Sequence, residues 1–190
     1  MHESRKYSTL AFCAFKNHTH CFKSILAHGR KNLTELELAE WADQLTDEKF
    51  TALHFATYHA NFDLIKIIVE DMGGNINLKN VYGANVLHIA AQGDAPTPLY
   101  YFIKLMGMDL HSVDNRGSTP LHWACYSKSE FALGYILAMK PNLDLKDQAG
   151  FTPLHLAIRT VGDLNTTRPV RALLLKGASR NSVNSKGETC

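Results

Sequence analysis

The chain has 190 residues, 45% of them hydrophobic, with 20 Lys and Arg against 18 Asp and Glu for a formal net charge of +2. That balance fits one compact domain or one short solenoid, and it excludes both a disordered polyelectrolyte and a strongly basic nucleic-acid binder. The longest apolar run, Leu10 to Phe15, is far too short to cross a bilayer, and the first nine residues lack the apolar stretch and cleavage site of a secretory signal.

A cytoplasmic chain is therefore expected, and the cysteines agree. Cys13, Cys21, Cys125 and Cys190 show no paired spacing, which suits free thiols in a reducing compartment. Charge is distributed in blocks. Arg5, Lys6, Lys16, Lys23, Arg30 and Lys31 face only Glu3 at the start, Glu35 to Glu48 is acidic, and the end is basic through Arg168, Arg171, Lys176, Arg180 and Lys186.

In chain order, residues 1–30 read as a worn helix pair that caps the N-terminal end, since Leu10 to Leu26 repeats the step from Leu121 to Leu137. Residues 31–45 read as an acidic helical insertion, opened by a capping box at Thr34-Glu35-Leu36-Glu37. Four full repeats follow at 46–79, 80–113, 114–146 and 147–183, the last with a short insertion. Residues 184–190 are the opening of a further repeat that stops before its helix, so the chain reads as part of something longer.

Each full repeat begins with one signature: Thr51-Ala52-Leu53-His54-Phe55-Ala56, Asn85-Val86-Leu87-His88-Ile89-Ala90, Thr119-Pro120-Leu121-His122-Trp123-Ala124 and Thr152-Pro153-Leu154-His155-Leu156-Ala157. The histidines stand 34, 34 and 33 residues apart. Thr caps a helix start and Pro fits its first turn, where a missing N–H costs little. Asp94 before Pro96 and Thr167 before Pro169 read as starts of second helices. The turns at Asn80–Gly83, Asp114–Gly117 and Asp147–Gly150 pair an Asx residue, which bonds its own backbone, with a glycine that accepts a left-handed conformation. Thr46-Asp47-Glu48-Lys49 has no glycine, and a looser hairpin is expected there.

A period near 33 carrying T-P-L-H-x-A resembles the ankyrin family. The resemblance implies an all-α solenoid of helix-turn-helix units joined by short β-hairpin-like turns, with each histidine bracing adjacent turns. The run Asp114 to Cys125, followed by Arg168-Pro169-Val170-Arg171-Ala172-Leu173-Leu174, is also similar to the N-terminal ankyrin arrays of DHHC-type protein palmitoyltransferases. That likeness implies recruitment of substrate proteins at the cytosolic face of an internal membrane such as the Golgi. This sequence contains no Asp-His-His-Cys motif, so any acyl transfer would reside outside it.

No catalytic residue is expected within the chain. It has no phosphate-binding loop, nucleophile elbow or Cys/His arrangement of catalytic type. The histidines of successive repeats are too far apart to share an ion, and Cys13, His18, His20 and Cys21 match no recognised zinc spacing, so neither metal nor cofactor is expected. The expected partner is another protein or peptide segment, bound by a monomer on a concave side formed by turn tips and first helices, without nucleic acid or membrane insertion. The residues placed there are Tyr58, His59, Tyr82, Gln92, Arg116, Trp123, Tyr126, Phe151 and Arg159. Trp123 has two readings, lining that surface or filling the seam between repeats.

Overall fold

The computed structural model describes residues 7–127 and 129–190, with Leu164 described by its backbone alone. Glu3, Arg5 and Lys6 of the basic N-terminal block lie outside the described residues. The chain divides into two compact units, residues 1–86 and 87–190.

In the first unit, α1 (Thr9–Phe15) and α2 (Thr19–Gly29) form a helix pair. Ser8 caps α1 by accepting the Ala11 N–H at 3.2 Å. The acidic helix α3 (Glu35–Ala42) opens with the expected capping box, in which Thr34 N–H donates to Glu37 Oε2 at 2.8 Å and Glu37 N–H returns to Thr34 Oγ1 at 3.4 Å. The Trp41 ring of α3 lies where a Cβ on Gly29 would stand, only 2.4 Å from it, so the insertion is packed tightly onto the end of α2. Helices α4 (Ala52–Tyr58) and α5 (Phe62–Lys66) complete the unit, with α4 against α1.

In the second unit, α6 (Val86–Gln92, whose first residue closes the first unit) and α7 (Pro96–Tyr100) are followed by α8 (Pro120–Tyr126), α9 (Glu130–Ala138), α10 (Pro153–Arg159), α11 (Val161–Leu164) and α12 (Arg168–Leu175). First helices α8 and α10 lie side by side, and second helices α7, α9 and α12 form the layer behind them. Leu99, Phe102, Leu121, Ile136 and Leu173 are sealed between the layers. Their burial removes apolar surface from water and is the main favourable term for the stack. Helix α11 is a four-residue turn between α10 and α12.

Both α5 and α7 end in a π turn, Ile67–Asp71 and Tyr101–Leu105, which no residue pattern announced. In each, a left-handed glycine, Gly73 or Gly107, lets the N–H of the following residue reach back into the turn, Gly74 to Ile68 O at 2.8 Å and Met108 to Phe102 O at 2.9 Å. Asp94 differs from its expected role. It does not cap α7, whose N-cap is Ala95; its Oδ1 accepts the Ala132 N–H at 2.7 Å, capping α9 of the next repeat.

The turns share one geometry. Residues 46, 80, 114, 147 and 184 each donate N–H to the carbonyl four residues on, at 2.9 to 3.0 Å, and accept an N–H three residues on, at 2.8 to 3.1 Å. Asp114 Oδ1 also takes the N–H groups of Arg116 and Ser118, both at 2.8 Å, and Asp147, Asn80 and Asn184 do the same in their turns. The expectation of a looser first turn is overturned. Lys49 adopts the left-handed conformation (φ 58°) that glycine takes elsewhere, and Thr46 Oγ1 accepts the Phe50 N–H at 3.0 Å in place of an Asx carboxylate or amide.

Successive turns are then tied to each other and to the histidines. Val81 N–H reaches Glu48 O in the first unit, while Gln148 N–H reaches Arg116 O and Ser185 N–H reaches Ala149 O in the second. In three signatures the threonine N–H donates to the histidine Nδ1 three residues on, at 3.1 Å for His54, His122 and His155 alike. A backbone N–H can only donate, so Nδ1 is bare and the ring proton sits on Nε2. From there His88 donates to Ser118 O at 3.0 Å, His122 to Phe151 O at 3.1 Å and His155 to Glu188 O at 3.3 Å. Those carbonyls are the ones that already close the next turn, so each uses both lone pairs. Nε2 of His54 is buried and finds no well-aligned acceptor, although the Ala84 and Leu78 carbonyls face it.

Burial depresses the His54 pKa to about 4, outweighing those two carbonyls, and burial likewise lowers that of His122. Above pH 6.5 neither folded nor unfolded His54 is charged, and its contribution is complete; between pH 6.5 and 4 only the unfolded chain takes the proton, so stability falls as pH falls. Unfolding free energy measured in urea between pH 6.5 and 4.5 should therefore lose up to about 1.4 kcal/mol per pH unit of its slope in His54→Gln. An unchanged slope would show that the folded imidazole titrates normally.

The turn-to-turn contact has its own test. A Cβ on Gly150 would stand 2.6 Å from Ser185 N and 3.0 Å from Asn184 backbone, whereas one on Gly107 would meet nothing within 4 Å, and both residues have positive φ. Gly107→Ala should cost about 1 kcal/mol from backbone strain alone, and Gly150→Ala about 2 kcal/mol or more because the next turn must also move. Equal losses in chemical denaturation would contradict the close approach.

Candidate protein-binding surface

Side chains that leave the turns and the first helices outward are the ones the hydrogen-bond frame does not consume. In the second unit Arg116 projects from the turn before α8, and Tyr126, 67% exposed, from the end of that helix. Gln92 is exposed at the end of α6, while its backbone carbonyl accepts Ser129 Oγ at 3.2 Å. Phe151 and Arg159 form a pair, the guanidinium lying 5.4 Å from the ring centroid. The Phe151 ring also meets the His155 ring edge-on, at 5.8 Å, and is half-buried, so it anchors Arg159 rather than standing free.

Trp123 combines its two sequence readings. Its indole packs edge-on against His88, with centroids 5.6 Å apart, and its Nε1–H donates to Asp114 Oδ2 at 2.9 Å, so it locks the turn to the helix. It remains half-exposed at the surface. In the first unit Tyr58 and Tyr82 are exposed, 46% and 52%. His59 is exposed as well, yet its Nε2 lies 2.9 Å from the Phe15 carbonyl, where it satisfies the C-terminal end of α1.

An aromatic cluster in the first unit went unnoticed in the sequence. Tyr7 stacks on Phe15 at 5.3 Å, Phe50 stacks on Phe55 at 5.4 Å, and Phe15 meets Phe55 edge-on at 5.4 Å. Together with Thr46, Asp47 and Glu48, four of these rings line a cavity of about 160 Å³. The signal was positional. Phe55 follows His54 as Trp123 follows His122, and Phe50 precedes Thr51 as Phe151 precedes Thr152, so rings recur at both positions that flank the capping box.

Burial raises the pKa of the Cys13, Cys125 and Cys190 thiols, so none of these three is activated. Among the described residues no three His, Cys, Asp or Glu side chains converge as metal ligands, and no helix is long and apolar enough to cross a membrane.

Comparison with known proteins agrees with this geometry. The family model for ankyrin repeats, in three copies, matches residues 10–99 and 87–184. The chain belongs to the ankyrin-repeat family. An ankyrin repeat protein of Rickettsia bellii (strain RML369-C) is 35% identical over 103 residues, covering 54% of this chain and 56% of that protein. NF-kappa-B inhibitor alpha of Gallus gallus is 35% identical over 92 residues, 47% of this chain and 29% of the relative. Palmitoyltransferase AKR1 of Lachancea kluyveri is 26% identical over 108 residues, 55% of this chain and 14% of the relative. The chain thus spans about half or less of the length of these relatives. Ankyrin repeats are non-catalytic protein-interaction modules, and the exposed aromatic and arginine side chains above have the character of such a surface.

The division between frame and surface is testable. Trp123→Phe keeps the packing on His88 but leaves the buried Asp114 carboxylate short of a donor, and should cost about 1–2 kcal/mol. Tyr126→Ala should change stability by less than about 0.5 kcal/mol. Equivalent melting shifts for the two would contradict the assignment.

Proposed function

We propose that the chain binds a partner protein or peptide segment through the turn tips and first helices of its repeats, with Arg116, Tyr126 and the Phe151–Arg159 pair supplying most of the energy in the second unit. The observation that carries this reading is the exposure of Arg116, Tyr126 and Arg159 beside turns held by their own hydrogen bonds: the backbone around Arg116 and Phe151 is tied at fixed distances, so these side chains are presented with little ordering left to lose on binding. Gln92, Tyr58, His59 and Tyr82 extend the candidate surface within their own units. Trp123 contributes through its exposed edge and positions the turn that carries Arg116.

The similarity to a palmitoyltransferase supports a more specific reading. In it these repeats recruit substrate proteins for an acyltransferase whose catalytic residues lie outside these 190 residues, at the cytosolic face of an internal membrane. The greater identity to NF-kappa-B inhibitor alpha and to a Rickettsia ankyrin protein supports the alternative, a cytoplasmic adaptor or scaffold acting as a monomer. Under either reading the same side chains meet the partner.

Affinity capture followed by mass spectrometry tests the surface. Arg116→Ala with Tyr126→Ala should lower recovery of specific partners about thirtyfold, a hot-spot loss of roughly 2 kcal/mol, while the melting temperature holds. Leu175→Ser, on the second-helix side where Leu175 is 85% exposed, should leave recovery unchanged. Partners lost with Leu175→Ser and retained by the double variant would move the binding face to the second helices. Acyl-exchange labelling of the captured proteins separates the two finer readings: enrichment of S-acylated partners favours recruitment for acyl transfer, and its absence favours the adaptor.

A further inference from the structure

The second helices of the second unit have outer sides that partner binding at the turn tips does not use. In α12 the buried residues are Pro169 and Leu173, so Arg171 and Leu175 fall on the opposite side of the helix. In α9 Ala132, Leu133, Ile136 and Leu137 are buried, which turns Phe131 and Gly134 outward. Tyr100 and Lys104 are exposed in the same way on α7 and its π turn. Because α9 packs against both α7 and α12, the three outward lines lie beside one another on one broad face. We propose that this face docks the protein on an anionic phospholipid bilayer, as a peripheral contact with one leaflet.

Charge selects the sign of the occupant. Across α7, its π turn, α9 and α12 the one acidic residue is Glu130, and its Oε2 is already engaged, 2.6 Å from Arg168 Nη1. Lys104 and Arg171, with Lys176 at the end of α12, are exposed and have no carboxylate within ion-pair distance among the described residues. Each such cation beside an anionic leaflet tightens binding about fivefold. A symmetric dimer through this face would instead set the same cations against each other.

Apolar exposure selects the medium. Leu175 is 85% exposed, Phe131 74%, Leu105 59% and Tyr100 48%. These side chains project separately from three neighbouring helices. A folded partner would need a hollow for each projection, whereas the boundary between headgroups and acyl chains yields around all of them. Leu, Phe and Tyr among Lys and Arg is the composition of a surface that lies in that boundary, with apolar tips inward and cations level with the phosphates.

The test uses the 190-residue chain and vesicles of phosphatidylcholine, alone or with about one-third phosphatidylserine. In co-sedimentation the anionic vesicles should bind the chain at least about thirtyfold more tightly than the neutral ones. The difference should shrink at about 1 M salt, where charges are screened beyond about 3 Å. Lys104→Gln with Arg171→Gln, and separately Phe131→Ser with Leu175→Ser, should each weaken binding to the anionic vesicles about tenfold. A Cβ on Gly134 meets nothing within 4 Å, so Gly134→Glu sets a carboxylate on the face without a clash and should weaken binding about fivefold. Every variant alters an exposed position, and melting temperatures should stay close to that of the parent.

Equal binding to the two vesicle types, binding to neither, or an anionic preference untouched by both double variants would overturn the proposal. Binding to soluble poly-glutamate in place of anionic vesicles would also overturn it, assigning the face to an acidic protein. Arg116→Ala with Tyr126→Ala should leave vesicle binding unchanged, and Phe131→Ser with Leu175→Ser should leave partner capture unchanged, so the failure of one face is distinguishable from that of the other.

Discussion

A backbone N–H pointing at the Nδ1 of His54, His122 and His155 fixes which nitrogen of each imidazole carries the proton, and the rest of the repeat depends on that choice. With Nδ1 bare, each ring caps its own helix start; with Nε2 protonated, His122 and His155 donate to the carbonyl that closes the following turn. One side chain therefore sets the start of a helix and its distance to the next repeat. Charging the ring would put a proton on Nδ1 and remove the acceptor from the cap, and burial opposes that by lowering the pKa of His54 and His122. The turns complete the arrangement, because the carbonyls of Ser118, Phe151 and Glu188 are each shared between a turn N–H and a histidine.

Most of this frame was legible in the sequence because it is local and periodic. Thr, His and the Asx–Gly turns act within four residues of one another, so their spacing in the chain is their spacing in space. Features that depend on a neighbouring repeat were harder to read. Asp94 looks like a cap for the helix beginning at Pro96, yet its left-handed backbone (φ 52°) places its carboxylate under Ala132, 38 residues on. Lys49 was expected to loosen its turn for want of glycine, but a Thr46 hydroxyl and the closing bonds to Phe50 hold the left-handed residue in place. The aromatic cluster gathers Tyr7 and Phe15 from around α1 and Phe50 and Phe55 from around α4, two stretches far apart in the chain, and no single window contains it.

The surface follows from the same frame. Side chains that face the preceding helix pair or their own turn are consumed: the Trp123 indole on His88 and Asp114, and His59 on the end of α1. Side chains that point away, such as Tyr126 and Arg116, are presented by turns and helix ends that are held from both sides. This is how a repeat whose signature is common to many proteins can carry a particular specificity: the signature residues face inward, and recognition falls to positions that the signature leaves free.

The account stands most directly on the tautomer. Nitrogen-15 spectra of the histidine rings at pH 7 should show the proton of His54, His122 and His155 on Nε2 with Nδ1 bare, and His54 should stay neutral when the pH is lowered to 5.5. Rings protonated on Nδ1 at pH 7, or His54 already charged at pH 5.5, would contradict the claim that these imidazoles cap one helix while bracing the next turn.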